Sequence, residues 1–276
     1  MTVARDQRQG REGFGPLPWA PPPKGGRAGR ADKPQLSREA IVEAAVRIID
    51  AEGLDAVSMR RVAQEFGTGA ASLYAYVANK DELFDLIVDW VLGEIADRWK
   101  HIEPTAENWR ELTLDLIRLS KQVLVTHRDL AKTFLGRIPF GPNGLRVVEE
   151  QLAIMRAGGV PDRMAAYAGD LIGQYLVSTA IEEDMWRSRY PGAEPADVAR
   201  KMGEIGDYLR SLPVDRFPNV VELAGPMMHV EEEGFDRFEL GLEVLFRGIA
   251  SFTGVVHEAM ADETVADGTV GGAAQG

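Results

Sequence analysis

The chain has 276 residues, 45% of them hydrophobic, and a formal net charge of −12 at neutral pH. This is enough apolar material for one large globular domain or two modest ones. The sequence contains no cysteine, which excludes disulfides and thiolate metal sites, and no apolar run is long enough for a membrane span or a secretory signal. We therefore expect a cytoplasmic protein with no membrane association.

The charge is unevenly distributed along the chain. Residues 1–33 carry seven Lys or Arg and three acidic residues, whereas residues 84–276 carry nineteen and thirty-two. Affinity for nucleic acid comes largely from cations that neutralise phosphates, so the overall charge is unusual for a nucleic-acid binder, although the N-terminal part has the required sign. Because residues 1–33 are also rich in Gly, Pro and Arg, we predict a disordered basic arm there.

Two amphipathic helices are predicted after the arm. Ser37 is a favourable N-cap residue before an apolar run with helical spacing, and Gly53 ends that helix with a residue that adopts positive φ readily. Ser58 is a second N-cap residue, and the short helix that it starts is predicted to end at Gly67. Asn79 is predicted to cap a longer helix.

The segment 68–77 is too short for an independent helix but suits the second half of a helix-turn-helix. In that motif the second helix enters the major groove of DNA while the first helix braces against the backbone. Small residues at the start of the second helix allow close approach, and neighbouring hydroxyls and cations, with Arg61 among them, are able to reach phosphates. The candidate DNA contacts are Ser58, Arg60, Gly69, Ala70, Ser72, Tyr74, Tyr76 and Lys80.

From about residue 107 onward the apolar spacing is helical almost throughout, without the alternation that is typical of strands. The predicted helical runs are 109–126, 129–135, 145–157, 162–186, 196–212 and 235–252, and segments containing Gly or Pro separate them. The sequence thus predicts an all-α protein. We expect a three-helix helix-turn-helix domain at 34–83, a helical ligand-binding and dimerisation domain at 84–258 and a disordered tail at 259–276.

The runs 162–186 and 235–252 have wide apolar faces. A four-helix interface made from two copies of each run would bury these faces, which favours a homodimer. The alternative is a monomer whose own core buries them. A two-fold dimer would match paired half-sites on double-stranded DNA, spaced by about one helical turn or a multiple of it.

A family pattern runs through the helix-turn-helix, in SMRRVA at 58–63 and SLYAYVANKDEL at 72–83. With the long helix that follows, these stretches make the chain resemble the TetR family of bacterial transcriptional regulators. The resemblance extends to the tetracycline-repressor branch through Trp109, HRDLAK at 127–132 and EEQLA at 149–153, and it covers roughly residues 37–185. Such proteins are all-helical homodimers that repress transcription until a small molecule binds the C-terminal domain and spreads the two DNA-binding domains.

The resemblance implies that Arg60 and Tyr74 meet bases, with Ser72, Tyr76 and Lys80 as further DNA contacts. Family members often carry larger polar readers where this chain has Gly69, Ala70 and Ala71, which contact a thymine methyl at most. We therefore expect few direct contacts from the start of this helix to the base edges. We hypothesise that the basic arm compensates by lying in the minor groove, through Arg27, Arg30 and Lys33.

The resemblance also places a ligand site in the C-terminal domain. Its expected residues are Leu116, Ser120, Phe134, Ile138 and Gln151, with Gln174 and Tyr175 as additions. In tetracycline-binding members several matching positions are polar or carry imidazole and hold the drug or its magnesium, whereas only Gln151 is retained here. The sequence therefore favours a small, largely apolar effector, such as an antibiotic or secondary metabolite, and no metal or cofactor. The helix 129–135 and Gly136 are expected to transmit ligand binding.

Two other functions compete with that of a regulator. An enzyme is disfavoured because the sequence has no Ser/His/Asp series, glycine-rich phosphate loop or HExxH motif, and its four histidines lack metal-ligand spacing. We interpret His127 as a structural residue. A helical adaptor that binds proteins and no DNA is the second alternative. For a regulator, both release from DNA and activation stay open as the response to the effector.

Overall fold

The computed structural model describes residues 36–228 and 237–252, and the regular structure of these residues is entirely helical. The predicted arm at 1–33 and tail at 259–276 lie outside the described residues. The all-α fold class is confirmed. The helices are α1 (Arg38–Glu52), α2 (Met59–Glu65), α3 (Ala70–Leu73), α4 (Lys80–Arg98), α5 (Trp109–Thr126), α6 (Pro142–Ala157), α7 (Asp162–Arg189), α8 (Pro195–Arg210), α9 (Pro218–Glu222), α10 (Ala224–Met228) and α11 (Arg237–Ala250), with 3₁₀ helices at Leu54–Ala56 and Leu130–Phe134.

The N-terminal helices begin where the sequence places their caps. The Ser37 hydroxyl accepts a hydrogen bond from the Ala40 N–H, the Ser58 hydroxyl accepts one from the Arg61 N–H, and the Asn79 side chain accepts one from the Glu82 N–H. Each cap satisfies an N–H group that would otherwise have no partner in the first turn. Gly53 ends α1 with φ of 91°, as predicted.

Helix α4 joins the two halves of the described chain. Its N-cap, Asn79, follows α3 after the connection 74–78, and its 19 residues continue past the domain boundary predicted after residue 83 to pack against α5 and α6. We call α1 to α3 with the first turn of α4 the head, and the remainder the body. Because one continuous helix belongs to both the head and the body, a shift at the body end of α4 also moves its first turn in the head.

The body is built on α5, α6 and α7, which all pack on one another. Helix α11 lies against α7 and buries Phe238, Leu242 and Phe246. A Cβ atom at Gly241 would collide with the Tyr175 hydroxyl, so glycine is what allows α11 and α7 to approach so closely at this point. Salt bridges from α5 to α11 brace the same packing, from Arg118 to Glu239 and from Arg110 to Glu243.

The structure corrects several predicted boundaries in the body. Helix α6 begins at Pro142 rather than at residue 145, and a segment predicted as a connection at 213–226 contains α9 and part of α10. Proline stands in the first turn of α6 and of α9, where its missing N–H costs nothing. The run 129–135 is a 3₁₀ helix rather than an α-helix. Helices α8, α9 and α10 pack mainly on one another.

None of the helices in the described ranges combines the length and the apolar content that crossing a bilayer requires.

Candidate DNA-binding surface and ligand site

The exposed side chains of α2, α3 and the start of α4 form one surface, which we call the recognition surface. Helices α2 and α3 pack on each other through Val62, Ala63 and Leu73, all buried. The opposite sides of these helices carry the predicted contacts. Tyr74 is 52% exposed and Tyr76 is 38% exposed. Ser58, Arg60, Ser72 and Lys80 are exposed as well, so this set of predicted contacts is open to a partner.

The start of α3 carries a hydroxyl pair that sequence reasoning missed. Thr68 Oγ1 and Ser72 Oγ lie 2.8 Å apart, within hydrogen-bond distance. Gly69 at the N-cap position offers no side chain, and neither Gly69 nor Ala70 has a polar group to offer a base. The i,i+4 spacing of the two hydroxyls was the signal that would have identified the pair.

Arg60 and Arg61 are neighbours in sequence with different surroundings. Arg60 is exposed, and no hydrogen bond or ion pair holds it within the described residues. Arg61 donates to Glu52 at the end of α1 and to Glu65 one turn later on α2, each at 2.5 Å. These carboxylates hold the pKa of Arg61 above its usual range. Arg61 therefore ties α2 to α1, and a phosphate would have to compete with these two carboxylates for it.

The first turn of α4 is held by several groups from the head. Glu82 accepts hydrogen bonds from the Ala78 N–H at 2.5 Å and from Arg38 Nη2 at 3.3 Å. Arg38 Nε also donates to the Tyr76 carbonyl at 3.1 Å. The chain between α3 and α4, which carries Tyr76, is thus fixed to both α1 and α4. The predicted arm contacts Arg27, Arg30 and Lys33 lie outside the described residues.

Asp129 connects the head to the body. Its φ of 56° is left-handed, a conformation that Asp tolerates better than most residues. Its carboxylate accepts a hydrogen bond from the Leu54 N–H at 3.3 Å in the head and pairs with Lys132. Its own N–H donates to Asp184 on α7 at 3.0 Å. One residue therefore contacts the turn after α1 and the long helix of the body.

The pKa values of the two carboxyl groups at this junction are shifted in opposite directions. Burial raises the pKa of Asp184, and the adjacent Asp129 carboxylate raises it further. Burial alone would raise the pKa of Asp129 too, but hydrogen bonds from Lys132 and from the Leu54 N–H outweigh it, and the pKa of Asp129 is lowered. As pH falls, Asp184 is therefore expected to take up a proton before Asp129.

His127 is a second link between head and body. Its Nδ1 lies 3.0 Å from an Asp50 carboxylate oxygen on α1, and its Nε2 lies 3.1 Å from Glu94 on α4. The ring packs edge-on against Trp90 at a centroid distance of 5.7 Å. These contacts agree with the structural role inferred from the sequence.

The predicted ligand residues fall into an inner and an outer group. Leu116 and Ser120 are buried on α5, and the Ser120 hydroxyl donates to the Leu116 carbonyl at 2.7 Å. Phe134 is partly buried against the core. Ile138, by contrast, is 67% exposed on the loop after the 3₁₀ helix. The α5–α6–α7 packing brings the inner residues to the interior of the body.

The predicted polar residues of the ligand site have differing neighbours. Gln151 on α6 is partly buried and faces α7, because a Cβ at Gly169 would overlap its amide. Gln174 is exposed and donates to Asp170 on its own helix at 2.8 Å. The Tyr175 ring stacks on Phe238 at 5.6 Å between centroids. Tyr175 thus contributes to the packing of α7 on α11.

A shallow cavity of about 410 Å³ lies between the C-terminal parts of α5 and α7. No residue predicted for the ligand site lines it. The lining residues are Val125, Thr126, Arg128, Asp184, Arg187, Ser188 and Pro191. Within the described ranges, no group of three or more His, Asp or Glu side chains is placed to hold a metal ion.

A pair of short helices with an exposed recognition surface, joined by a shared helix to an all-helical body, defines a helix-turn-helix DNA-binding protein with a regulatory domain. Family models agree with both parts. Residues 41–87 match the model described as bacterial regulatory proteins, tetR family, and residues 102–252 match that of the tetracyclin repressor-like C-terminal domain. The chain belongs to the TetR family and is a transcriptional repressor of that family.

Individual relatives are similar over most of the chain. The HTH-type transcriptional repressor DrrR1 of Streptomyces coeruleorubidus is 31% identical over 82% of this chain and 81% of its own. The crystal structure of apo ActR from Streptomyces coelicolor has 41% identity and a TM-score of 0.68, covering 81% of this chain and 99% of ActR. ActR in complex with actinorhodin has 41% identity and a TM-score of 0.69, with 80% and 99% covered.

Proposed function

We propose that this chain binds a palindromic operator as a homodimer and is released from it by a small, largely apolar molecule such as a polyketide antibiotic or a related secondary metabolite. Residues 34–83 serve as the DNA-binding domain and residues 84–258 as the ligand-binding and dimerisation domain. A repressor acts where the chromosome is, which places it in the bacterial cytoplasm. The relatives with a named function are regulators, so we infer that the chain catalyses no reaction.

The observation that carries the DNA part of the proposal is the recognition surface itself. Tyr74, Tyr76 and Lys80 are exposed on the same short stretch, although aromatic side chains usually pack inside. Arg60 is a cation without a partner in the described residues, as a phosphate or base contact requires. The Arg38 and Glu82 contacts fix the chain that carries Tyr76, so the surface is preformed for binding.

The dimer is supported by apolar side chains that the single chain leaves exposed. On α11 the buried residues Phe238, Leu242 and Phe246 face the body, while Leu240 and Val244, four residues apart, point away from it. Helix α7 likewise exposes Tyr167, Leu171 and Met185. Two copies of α7 and α11 packed together would bury both sets.

The effector is inferred from the chemistry of the inner ligand residues. Leu116, Phe134 and the apolar core around them provide walls for an apolar molecule, with Gln151 as a polar group that fixes orientation. The similar protein ActR has been crystallised in complex with actinorhodin. Actinorhodin is therefore our first probe, as a representative of aromatic polyketides.

The effector and the DNA communicate through the head–body junction. Asp129 contacts Leu54 and Asp184 at once, so a change in the 3₁₀ helix that it precedes alters how the head sits on the body. An effector that binds the DNA-incompetent arrangement more tightly shifts the population toward it. Couplings of about 1–3 kcal/mol would change DNA affinity by roughly five- to 150-fold.

The test uses the full-length protein and a fluorescent duplex from the region upstream of its own coding sequence. We expect a sequence-selective complex that weakens as salt rises, a dimer by sedimentation, and release of the duplex on titration with actinorhodin. Magnesium–tetracycline is the control ligand and should leave the complex intact. Tyr74→Ala is the control variant and should keep the dimer while losing selective binding.

Each alternative has its own result. The absence of a sequence-selective complex with that duplex would contradict an operator in this upstream region and favour the adaptor alternative. Selective binding that no aromatic polyketide weakens would contradict the effector class but leave the repressor function in place. An effector that changes transcription from the promoter while the complex persists would indicate activation instead of release.

A further inference from the structure

Arg137 joins the loop of the candidate ligand site to the first turns of α4. Its Nη1 donates to the Asp81 carbonyl at 3.1 Å and to Asp85 Oδ1 at 2.6 Å, and its Nη2 lies 3.3 Å from Asp81 Oδ1. The side chain is only 19% exposed. These contacts cross from the loop after the 3₁₀ helix to the part of α4 that directly follows the recognition surface.

The backbone of the same residue is tied to the ligand site. The Arg137 N–H donates to the Phe134 carbonyl at 3.2 Å, and Arg137 stands immediately before Ile138. Phe134 and Ile138 are both predicted ligand residues. The backbone of Arg137 is thus held by the loop of the ligand site, and its side chain is held by α4. A shift of that loop therefore moves the guanidinium that contacts α4.

The Phe84 ring connects Arg137 to Lys80, which is a predicted DNA contact. The Arg137 guanidinium lies 5.4 Å from the centroid of the Phe84 ring, and the Lys80 ammonium lies 5.1 Å from the same centroid. Both distances fit a cation held against an aromatic ring. A movement of Arg137 therefore reaches Lys80 through a ring that both cations contact.

Electrostatics give Arg137 a second effect on the same helix. Asp81 and Asp85 are four residues apart on α4, where two negative charges repel each other. Arg137 contacts both carboxylates and neutralises that repulsion. When the guanidinium withdraws, Asp81 and Asp85 lose the cation that pairs with both, and the start of α4 is destabilised.

We propose that Arg137 is a positioning residue that transmits the conformation of the loop 136–140 to the first turn of α4 and thereby sets the affinity for DNA. The DNA part of this statement rests on the proposed function. The coupling between the loop and the helix does not depend on the proposed function, because it can be measured without DNA.

A double-mutant cycle tests the coupling without an effector. Gly136 has φ of 72° with open space around it, so Gly136→Ala disturbs the loop through the backbone alone. Gly159, at the other end of α6, has φ of 73° and equally open surroundings, and Gly159→Ala is the matched control. Each is combined with Arg137→Gln. Arg137→Lys, which keeps the charge but not the forked geometry, serves if Arg137→Gln fails to fold.

The first readout is amide hydrogen exchange at residues 83–89, which requires no DNA. We expect Gly136→Ala to accelerate exchange there by about threefold or more when Arg137 is present, and to add nothing in the Arg137→Gln or Arg137→Lys background. Gly159→Ala should leave these amides unchanged in every background. Equal acceleration by Gly136→Ala with and without Arg137 would overturn the proposal.

The second readout is affinity for the upstream duplex. Gly136→Ala and Arg137→Gln should each weaken binding by about fivefold, and the double variant should bind as weakly as either single one. Effects that multiply would show independent action and refute transmission through Arg137. If the wild-type protein fails to bind the duplex, the proposed function is wrong, and the exchange data still decide the coupling.

Discussion

Neighbouring side chains on α2 illustrate how contacts decide the role of a residue. Arg60 and Arg61 have the same chemistry, yet the carboxylates of Glu52 and Glu65 occupy Arg61 and none occupies Arg60 in the described part of the chain. A cation that is already paired gains little from a phosphate, because it must give up its partner first. Of these two arginines, Arg60 is therefore the one that is available to DNA.

Arg60→Ala and Arg61→Ala should differ in salt dependence. Removal of one phosphate interaction is expected to reduce the slope of log affinity against log salt by about 1 for Arg60→Ala, with weaker binding throughout. Arg61→Ala should leave the slope unchanged. Fluorescence anisotropy over a salt series measures both, and equal slopes for the two variants would contradict the assignment.

Asp129 allows a stability prediction that depends on its backbone. Asp129→Ala places a residue without a polar side chain in the left-handed region and leaves the Leu54 N–H without its acceptor, so it should cost about 2–3 kcal/mol of unfolding free energy. Asp129→Asn tolerates the same φ and keeps an acceptor oxygen, so its cost should stay below about 1 kcal/mol. Urea denaturation compares them; similar losses for both variants would exclude this explanation.

At the scale of residues, the sequence could predict contacts between residues that are close together along the chain but not contacts between distant ones. Ser37, Ser58 and Asn79 are predictable as caps because a cap bonds to an N–H three residues away, and local spacing contains that information. Arg137 does not stand out in the sequence, because its carboxylate partners are more than fifty residues away in the chain. The recognition residues lie close together in sequence, whereas the ligand residues come from distant helices.

At the scale of helices, the apolar periodicity predicted that the longer helices exist more reliably than it predicted where they begin and end. Helix α5 matches its predicted range at both ends, because its single apolar stripe begins and ends with the helix. Helix α6 starts at a proline that also suits a connection, so its start was missed, and the short helix α9, which starts at another proline, was not predicted at all. The 3₁₀ geometry of residues 130–134 follows from contacts with α4 and α7, which local spacing does not contain.

The salt bridge between α5 and α11 should make stability depend on pH. The Arg118 guanidinium lowers the pKa of Glu239, so this carboxylate stabilises the fold above its unfolded pKa and loses the contribution as pH falls through the lower folded value. Because both side chains are more than one-third exposed, the effect should be below about 1 kcal/mol.

Glu239→Gln provides the measurement. Denaturation at pH 7 should find the variant less stable than the wild type, whereas the difference should shrink toward zero as the pH is lowered far enough to protonate Glu239 in both states. Glu111→Gln, on an exposed position of α5, is the control. A difference that persists unchanged at acidic pH would mean that shape rather than charge is responsible.

At the scale of the whole molecule, the exposed apolar sides of α7 and α11 are the surfaces that the proposed dimer would bury. Val244 is 63% exposed on α11 although the opposite side of the same helix is buried in the body. A second copy packed through α7 and α11 would cover it in a two-fold interface. Dimerisation then also sets the spacing of the two recognition surfaces on DNA.

Val244→Glu should separate the dimer. The substitution would bury a carboxylate of each copy in an apolar interface, which is strongly unfavourable. Sedimentation should find a monomer, and DNA affinity should fall by about 100-fold or more, on the order of 3 kcal/mol, because one half-site alone is bound. Ile102→Glu, also at an exposed apolar residue but outside α7 and α11, should remain dimeric. A dimeric Val244→Glu protein would place the interface elsewhere.

The net charge of −12 poses a final problem for a DNA-binding protein of this size. The acidic residues are concentrated after residue 84, so the body repels DNA while the basic residues 1–33 attract it. Since the start of α3 is small and apolar, the arm is expected to supply affinity through Arg27, Arg30 and Lys33.

Replacing these three arm residues by Gln keeps the chain length and removes only their charge. Operator affinity should fall, and the salt slope should decrease by about 1 for each phosphate that the arm no longer neutralises. Fluorescence anisotropy with the upstream duplex over a salt series measures both quantities. The same affinity and slope as the wild type would exclude the arm from the complex and leave Arg60 and Lys80 as the main phosphate contacts.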